Sequence, residues 1–580
     1  MLPRSVVIPL RGARSDYDTI LRRARDASII LIGDGTHGTF EFYHERAEMT
    51  KRLICEAAYT GVVLESDFPA TWKVDRYVNA PMRSHISEKP IPIPAPRPSG
   101  GGGFLRAHSG WGGGPPTPTH TLTSTHTPAA KVHHHEDDAS INALDEFTAR
   151  FPDWMWGNST FLDFISWARD YVASSNGGHI GISGMDLYSL FSSTHAVVQA
   201  LKNENDSNAA SAAEKAYACF DLCGARAADD AQLYGLQAAQ GASCAAEATR
   251  VARAVAAKFH STLETAKLKE AASAAATPPS QPTGESTTSE GGGTGGGIHI
   301  LEPIVLRTLD EAWAASENAF VVESAEAYYR TMFTDRRASS WNIRDGHMAT
   351  FISRYRLYLG QRKAIASGGT VTSSPPAGKI VVWAHNSHLG DARATGMGAR
   401  GEWNVGQLLR QKFGDEVVTV CMTTATGTVT AAHNWDGPAC RLELAPPLPM
   451  SLERLFSGVC TTRGSPPAAE PSVPPEINPT HELLPRFLLD IRALEKNPNP
   501  DARTAIEMLQ KRLYTRHVGV LYRRDTEMQS HYTPVNAVKA ADFYIHIDHT
   551  RALEPLARAP LRKTHVDGAP ALEETYPTGL

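Results

Sequence analysis

Seven short apolar runs constrain this chain more than any other feature: SIILIG (28–33), GVVLE (61–65), HIGISGMD (179–186), KIVVWAH (379–385), EVVTVCM (416–422), HVGVLY (517–522) and DFYIHID (542–548). They are rich in Ile and Val, nearly continuous, and bounded by Gly or charge. A strand that is apolar at every position, rather than every second one, is covered on both faces. That is the condition of a mostly parallel sheet packed between helices. Longer segments with helical spacing separate the runs. Residues 40–58 set Tyr43, Ala47, Ile54 and Ala57 on one face, 206–274 read as two long helices, and 303–333 and 340–362 as two more. The expected fold is α/β: a mostly parallel central sheet flanked by helices, with a long helical insertion (about 206–362) and several disordered low-complexity loops.

Residues 88–138, 271–297, 367–378 and 464–480 are mostly Pro, Gly, Ser, Thr and Ala, and include GGGTGGG and a His triplet at 133–135. They hold too little apolar surface to offset the entropy of ordering, so disordered inserts are expected. What remains, 1–87 and 139–560, reads as a single domain, with 561–580 as a tail. Across 580 residues, 57 Lys and Arg face 62 Asp and Glu, a net charge of −5. This gives no electrostatic case for nucleic acid or an anionic membrane as partner. No apolar run reaches the ~18 residues of a spanning helix. The opening MLPRSVVIPLRGARSD is a poor secretory signal. The 7 cysteines include no CxxC, so neither a disulfide framework nor a thiolate zinc site is expected, and a cytoplasmic compartment is.

Open α/β sheets bind ligands beyond the carboxyl ends of their strands. Asp34 and GTHGT follow the first run, with Thr36 and His37 in that turn. Glu65 ends the second, Asp186 the third, and His385 the fourth, with His388 three residues on. Arg523, Arg524 and His531 follow HVGVLY, and the last run carries His546 and Asp548. A His with a pKa near ~6.5 can act as a general base at neutral pH. A carboxylate beside it can fix its tautomer. Gly35 and Gly38 are expected to let backbone approach a ligand. Arg46, on the next helix, could pair with Glu65 or meet a substrate carbonyl. Plainer roles compete: Asp186 as a helix N-cap, His388 bonded within its loop, Glu65 in a salt bridge to Arg46. GMGARG (396–401) lies too far from its strand to be a phosphate turn, and neither a G-x-S-x-G elbow nor a P-loop occurs.

IGDGTHGTFEFYHERAEMTKRLICE and GVVLESDFPATWKVDRYV resemble the N-terminal block of the erythromycin esterase family. The resemblance continues through FPDWMWGN, GISGMDLYSL, WNIRDGHMA, VVWAHNSHLGDARATGMGARGEWNVGQLL, TATGTVTAAHNWDGPA, RDTEMQSHY and HIDHTRALEPL, in order over nearly the whole foldable chain. It implies hydrolysis of an ester or lactone in a small-molecule substrate, without metal or other cofactor, by water that a His base activates. Carried over, the base matches His37, the strand-end acid Glu65, the helix arginine Arg46, and the HN-x-H histidines His385 and His388. Arg344 matches the arginine of the N-x-R-D block. Asp34 stands where the family has a glutamate, one methylene longer. Asp34 or Glu65 would orient His37 or the water, and His385, His388 or Arg46 would stabilise developing charge. Thr36, Asp186, Arg344 and His531 are the expected substrate contacts. Two other readings stay open: a metal-dependent hydrolase with His37, Glu65, His385 and His388 as ligands, and a binding protein that keeps the fold without catalysis.

Overall fold

The computed structural model describes residues 2–81, 142–149, 151–175, 178–221, 230–276, 302–334, 337–367, 376–461 and 484–556. The expected inserts 88–138 and 464–480, most of 271–297 and 367–378, and the tail 561–580 lie outside them. Residues 271–276, expected to begin an insert, instead complete the helix Ala245–Ala276. Met1–Ala80 and Ala139–Leu580 form one unit, and Pro81–Asp138 a second, of which Pro81 alone is described.

The strands are β1 (Ile8–Pro9), β2 (Ile29–Asp34), β3 (Gly61–Asp67), β4 (Gly181–Asp186), β5 (Ile380–His385), β6 (Val417–Ala431), β7 (Cys440–Glu443), β8 (Arg486–Asp490), β9 (Leu513–Arg516), β10 (Tyr532–Val535) and β11 (Phe543–Thr550). The central sheet runs β1-β8-β11-β6-β2-β5-β3-β4, with β7 against the far end of β6. From β11 to β4 every pairing is parallel, and β8 and β1 close one edge antiparallel. This is the mostly parallel α/β sheet the apolar runs imply.

Both faces are buried, which explains why those runs are continuous. Ile30, Ile32, Val62, Leu64, Val381 and Trp383 pack on one side with residues of the helices Phe40–Ala57 and Ser159–Ser174. Ile29, Leu31, Val63, Ile380 and Val382 pack on the other, with residues of Glu302–Thr334 and Arg337–Ala366. Neighbours along a strand alternate between two cores, which is why apolar residues occur at successive positions and not only at every second one.

The helical insertion sits between β4 and β5 and has its own core, including Leu190, Val197, Tyr217, Tyr234, Ala319 and Tyr329. Where two long helices were expected, the described part of 206–274 holds the α-helices Ser207–Tyr217, Ala231–Ala239 and the start of Ala245–Ala276. The chain restarts at Asp206 and Asp230, whose carboxylates accept from Ala209 N (3.1 Å) and Leu233 N (2.9 Å). Contrary to expectation, a disulfide joins Cys219 to Cys244, 25 positions later, across the Ala231–Ala239 helix. No helix among the described residues is long and apolar enough to cross a membrane.

HVGVLY (517–522) is not a strand of the sheet. It runs as a strap between β9 and β10, with bridges from Val518 to Thr36 and from Leu521 to Ala432. The strap fixes the turn after β2: Val518 N donates to Gly35 O (2.9 Å) and His37 N to Val518 O (3.1 Å). Gly38 has a different use from the expected one. A Cβ there would meet Thr430 O at 1.7 Å, so the residue admits the backbone of β6, not a ligand.

Candidate active site

The carboxyl ends of β2, β3, β4 and β5 open into one cavity of about 210 Å³. His37, Glu65, Asp186, Arg344, His385 and His388 line it. Four expected residues do not. Asp34 and Arg46 are buried behind His37. Thr36 is turned to the Thr39 hydroxyl. His531 supports the strap: Arg523 N donates to its Nε2 (3.3 Å), and its Nδ1 donates to His517 O (3.2 Å).

Asp34 ends β2 and faces two partners. Arg46 Nη1 lies 2.7 Å from Oδ2, and His37 Nδ1 lies 3.4 Å from Oδ1. Arg46 is 1% exposed and stacked on the Tyr43 ring at 4.3 Å, so it meets neither Glu65 nor a substrate. It fixes the Asp34 carboxylate in place beneath His37.

Glu65 takes its cation from elsewhere. Arg344 Nη2 donates to Oε1 (2.8 Å), and His388 Nε2 lies 3.1 Å from the same oxygen. The His385 backbone N–H donates to Oε2 (2.8 Å). Burial favours the neutral acid, but His388, His37 and Arg344 outweigh it and hold the carboxyl well below its ordinary 4.5. An ionised carboxylate offers about four acceptor sites. Three are taken, and the fourth, on Oε2, faces His37 Nε2 at 3.9 Å. Asp186 is no helix cap: Arg344 Nε and Nη2 donate to its two oxygens at 2.9 and 2.6 Å. Arg344 thus joins the ends of β3 and β4 through one planar fork.

Burial lowers the pKa of His388, but Asp345 at Nδ1 (2.9 Å) and Glu65 at Nε2 more than offset it and raise the value to about 9. With a carboxylate oxygen at each nitrogen, His388 is an imidazolium. Arg344 Nη1 lies 2.9 Å from the same Nε2, and its Nη2 is the second donor that reaches Glu65 Oε1. Trp341 lies flat on this ring, 4.6 Å between centroids. His385 is the opposite case. Burial first, then His37 and His517, hold it well below 6.5. Ser387 N donates to its Nδ1 (3.3 Å), which leaves Nε2 as the N–H, buried and without a partner. The rings of His37, His385 and His517 form a row, with centroids 4.9 and 5.1 Å apart.

Sequence reasoning missed Asp345, Trp341 and His517. Asp345 and Trp341 flank Arg344 within WNIRD, so that block held the signal. His517 opens an apolar run, where a histidine reads as a strand boundary. The four proposed metal ligands do not form a ligand set. Among the described residues, the group with metal-ligand spacing is Cys460, His546 and Asp548, and the cavity's acids Glu65 and Asp186 are already paired with Arg344.

These groups set a pH window. The folded pKa of His388 is raised, so its contribution to stability is complete below about 6.5 and lost as pH rises through about 9. The folded values of His385 and His517 are lowered, the latter to about 4, so their contribution is complete above 6.5 and lost as pH falls. Urea midpoints are therefore expected to peak near pH 6.5, to fall from there toward pH 9 as the His388 contribution is lost, and to fall toward pH 4 on the acid side. His388→Gln should flatten the alkaline side. An unchanged alkaline slope would show that His388 is not the group lost there.

The erythromycin esterase family model matches residues 123–550. Three solved structures are similar to the chain along nearly its whole length, the first two with the same fold. A Bacillus cereus protein is 15% identical with a TM-score of 0.57, covering 96% of this chain and 97% of its own. A succinoglycan biosynthesis protein is 14% identical with a TM-score of 0.56, covering 95% and 96%. A mutant of the erythromycin esterase EreC in its open conformation is 13% identical with a TM-score of 0.48, covering 97% and 98%.

Proposed function

The chain belongs to the erythromycin esterase family, and from that premise we propose that it is a hydrolase that cleaves an ester or lactone with water activated by His37 and no covalent intermediate. One observation carries the reading: the setting of His37. Asp34, anchored by Arg46, faces Nδ1 and favours the tautomer with its proton there, which frees the Nε2 lone pair. Across the cavity stands the open acceptor site of Glu65. The 3.9 Å between Nε2 and Oε2 is too long for a hydrogen bond, and a water on the cavity side can bond to both once the two groups part by roughly 0.6 Å.

The chemistry balances without a nucleophilic side chain. His37 takes one water proton as the oxygen bonds to the carbonyl carbon. The charge that gathers on the carbonyl oxygen is met by the His385 Nε2–H and the cations His388 and Arg344. Collapse breaks the ester C–O bond, and the alcohol leaves with the proton from His37. Glu65 stays ionised throughout and positions the water.

A panel of lactones and aryl esters, assayed with wild type and His37→Gln, tests the proposal. Turnover of at least one member by wild type alone is expected. Equal, background hydrolysis in both proteins would favour a binding protein of this fold.

A further inference from the structure

We propose that Cys460, His546 and Asp548 form a binding site for a zinc-class divalent cation, apart from the cavity and independent of the hydrolase reading. His546 lies on β11 and Asp548 two residues on. Cys460 comes from the helix Leu452–Thr461 that packs on them. The thiol sulfur, an imidazole nitrogen and a carboxylate oxygen lie within 4.8 Å of one another. No cysteine pair in the sequence signals this site, because its ligands are of three kinds on two distant segments.

The local geometry favours a cation over a proton between His546 and Asp548. His546 Nε2 is 3.5 Å from Asp548 Oδ1. A charge-assisted N–H···O bond would close to about 2.8 Å. Two ligands on a tetrahedral zinc, with bonds near 2.0 Å, stand roughly 3.3 Å apart. The other ring nitrogen, Nδ1, is 3.0 Å from the Thr423 hydroxyl. Such a second contact fixes the ring of a metal-binding histidine and leaves Nε2 for the ion. Phe456 and Phe487 hold the ring's sides at 5.5 and 5.4 Å. Ser457 bonds the Asp548 carboxylate.

Imidazole, thiolate and carboxylate together suit zinc, with a fourth position for water. Binding needs the thiolate. Burial and Asp548 keep Cys460 protonated alone, at about 12, against the nearby Arg4. The entering ion therefore displaces the thiol proton to solvent, one S–H bond exchanged for one S–metal bond.

Titration of the full chain with Co²⁺ tests this. One equivalent should produce a thiolate-to-cobalt charge-transfer band in the near ultraviolet, discharged by Zn²⁺. Cys460→Ser should abolish the band, Asp548→Asn should weaken binding at least tenfold, and Cys440→Ser should change nothing. The absence of the band in wild type, or its persistence in Cys460→Ser, would overturn the proposal. Asp548→Asn and the wild-type titration decide the matter even if Cys460→Ser fails to fold.

Discussion

His37→Gln is expected to lower kcat by about 10²- to 10⁴-fold on any ester the wild type hydrolyses, with KM changed far less. Glutamine keeps a polar side chain facing Asp34 and Glu65, so the water can still be held. It cannot accept a proton at neutral pH. The loss therefore falls on the chemical step, and the melting temperature should move little because His37 carries no core packing. Steady-state kinetics with a thermal melt on the same preparation check both parts. A rise in KM with kcat intact would make His37 a substrate contact instead of the base.

Arg344→Met should be the most damaging change to the scaffold of the site. The guanidinium is the common partner of Glu65 and Asp186, and both carboxylates are buried at strand ends. Methionine fills much of the volume but leaves two buried charges with less compensation. Breaking a buried ion pair from one side costs about 3–5 kcal/mol. Denaturant unfolding should show a loss of that order. Arg344→Lys should lose less, since it keeps the charge but not the fork. A wild-type midpoint in Arg344→Met would mean that His388 alone satisfies Glu65.

Much of this fold was legible because a sheet covered on both faces writes itself as unbroken apolar runs. The ends of those runs led to Asp34, Glu65, Asp186 and His385. Misreadings arose where backbone bonding, and not side-chain burial, decides the structure. HVGVLY looks like a strand, but its backbone bonds to the turn at Gly35 and to Ala432 instead of to a sheet neighbour. EVVTVCM (416–422) covers only the start of β6, which continues to Ala431 through a Thr-rich stretch, because threonine is β-branched and suits a strand. RFLLD (486–490), which forms β8, is not among the seven runs.

Within the site, residue types could be read but not pairings. Arg46 was expected to pair with Glu65 or to meet a substrate carbonyl, and Arg344 to contact substrate. Only the course of the chain shows that the first serves Asp34 and the second serves Glu65 with Asp186. The same holds for His385 and His388, three residues apart in one motif. One is neutral and one charged, because Asp345 reaches only the second.

Rapid mixing of the enzyme with excess of a chromogenic aryl ester tests the direct attack of water most plainly. The account predicts linear release of the phenol from the first turnover and no acyl adduct in the mass of the quenched protein. A burst equal to the enzyme concentration, with a matching adduct, would contradict it.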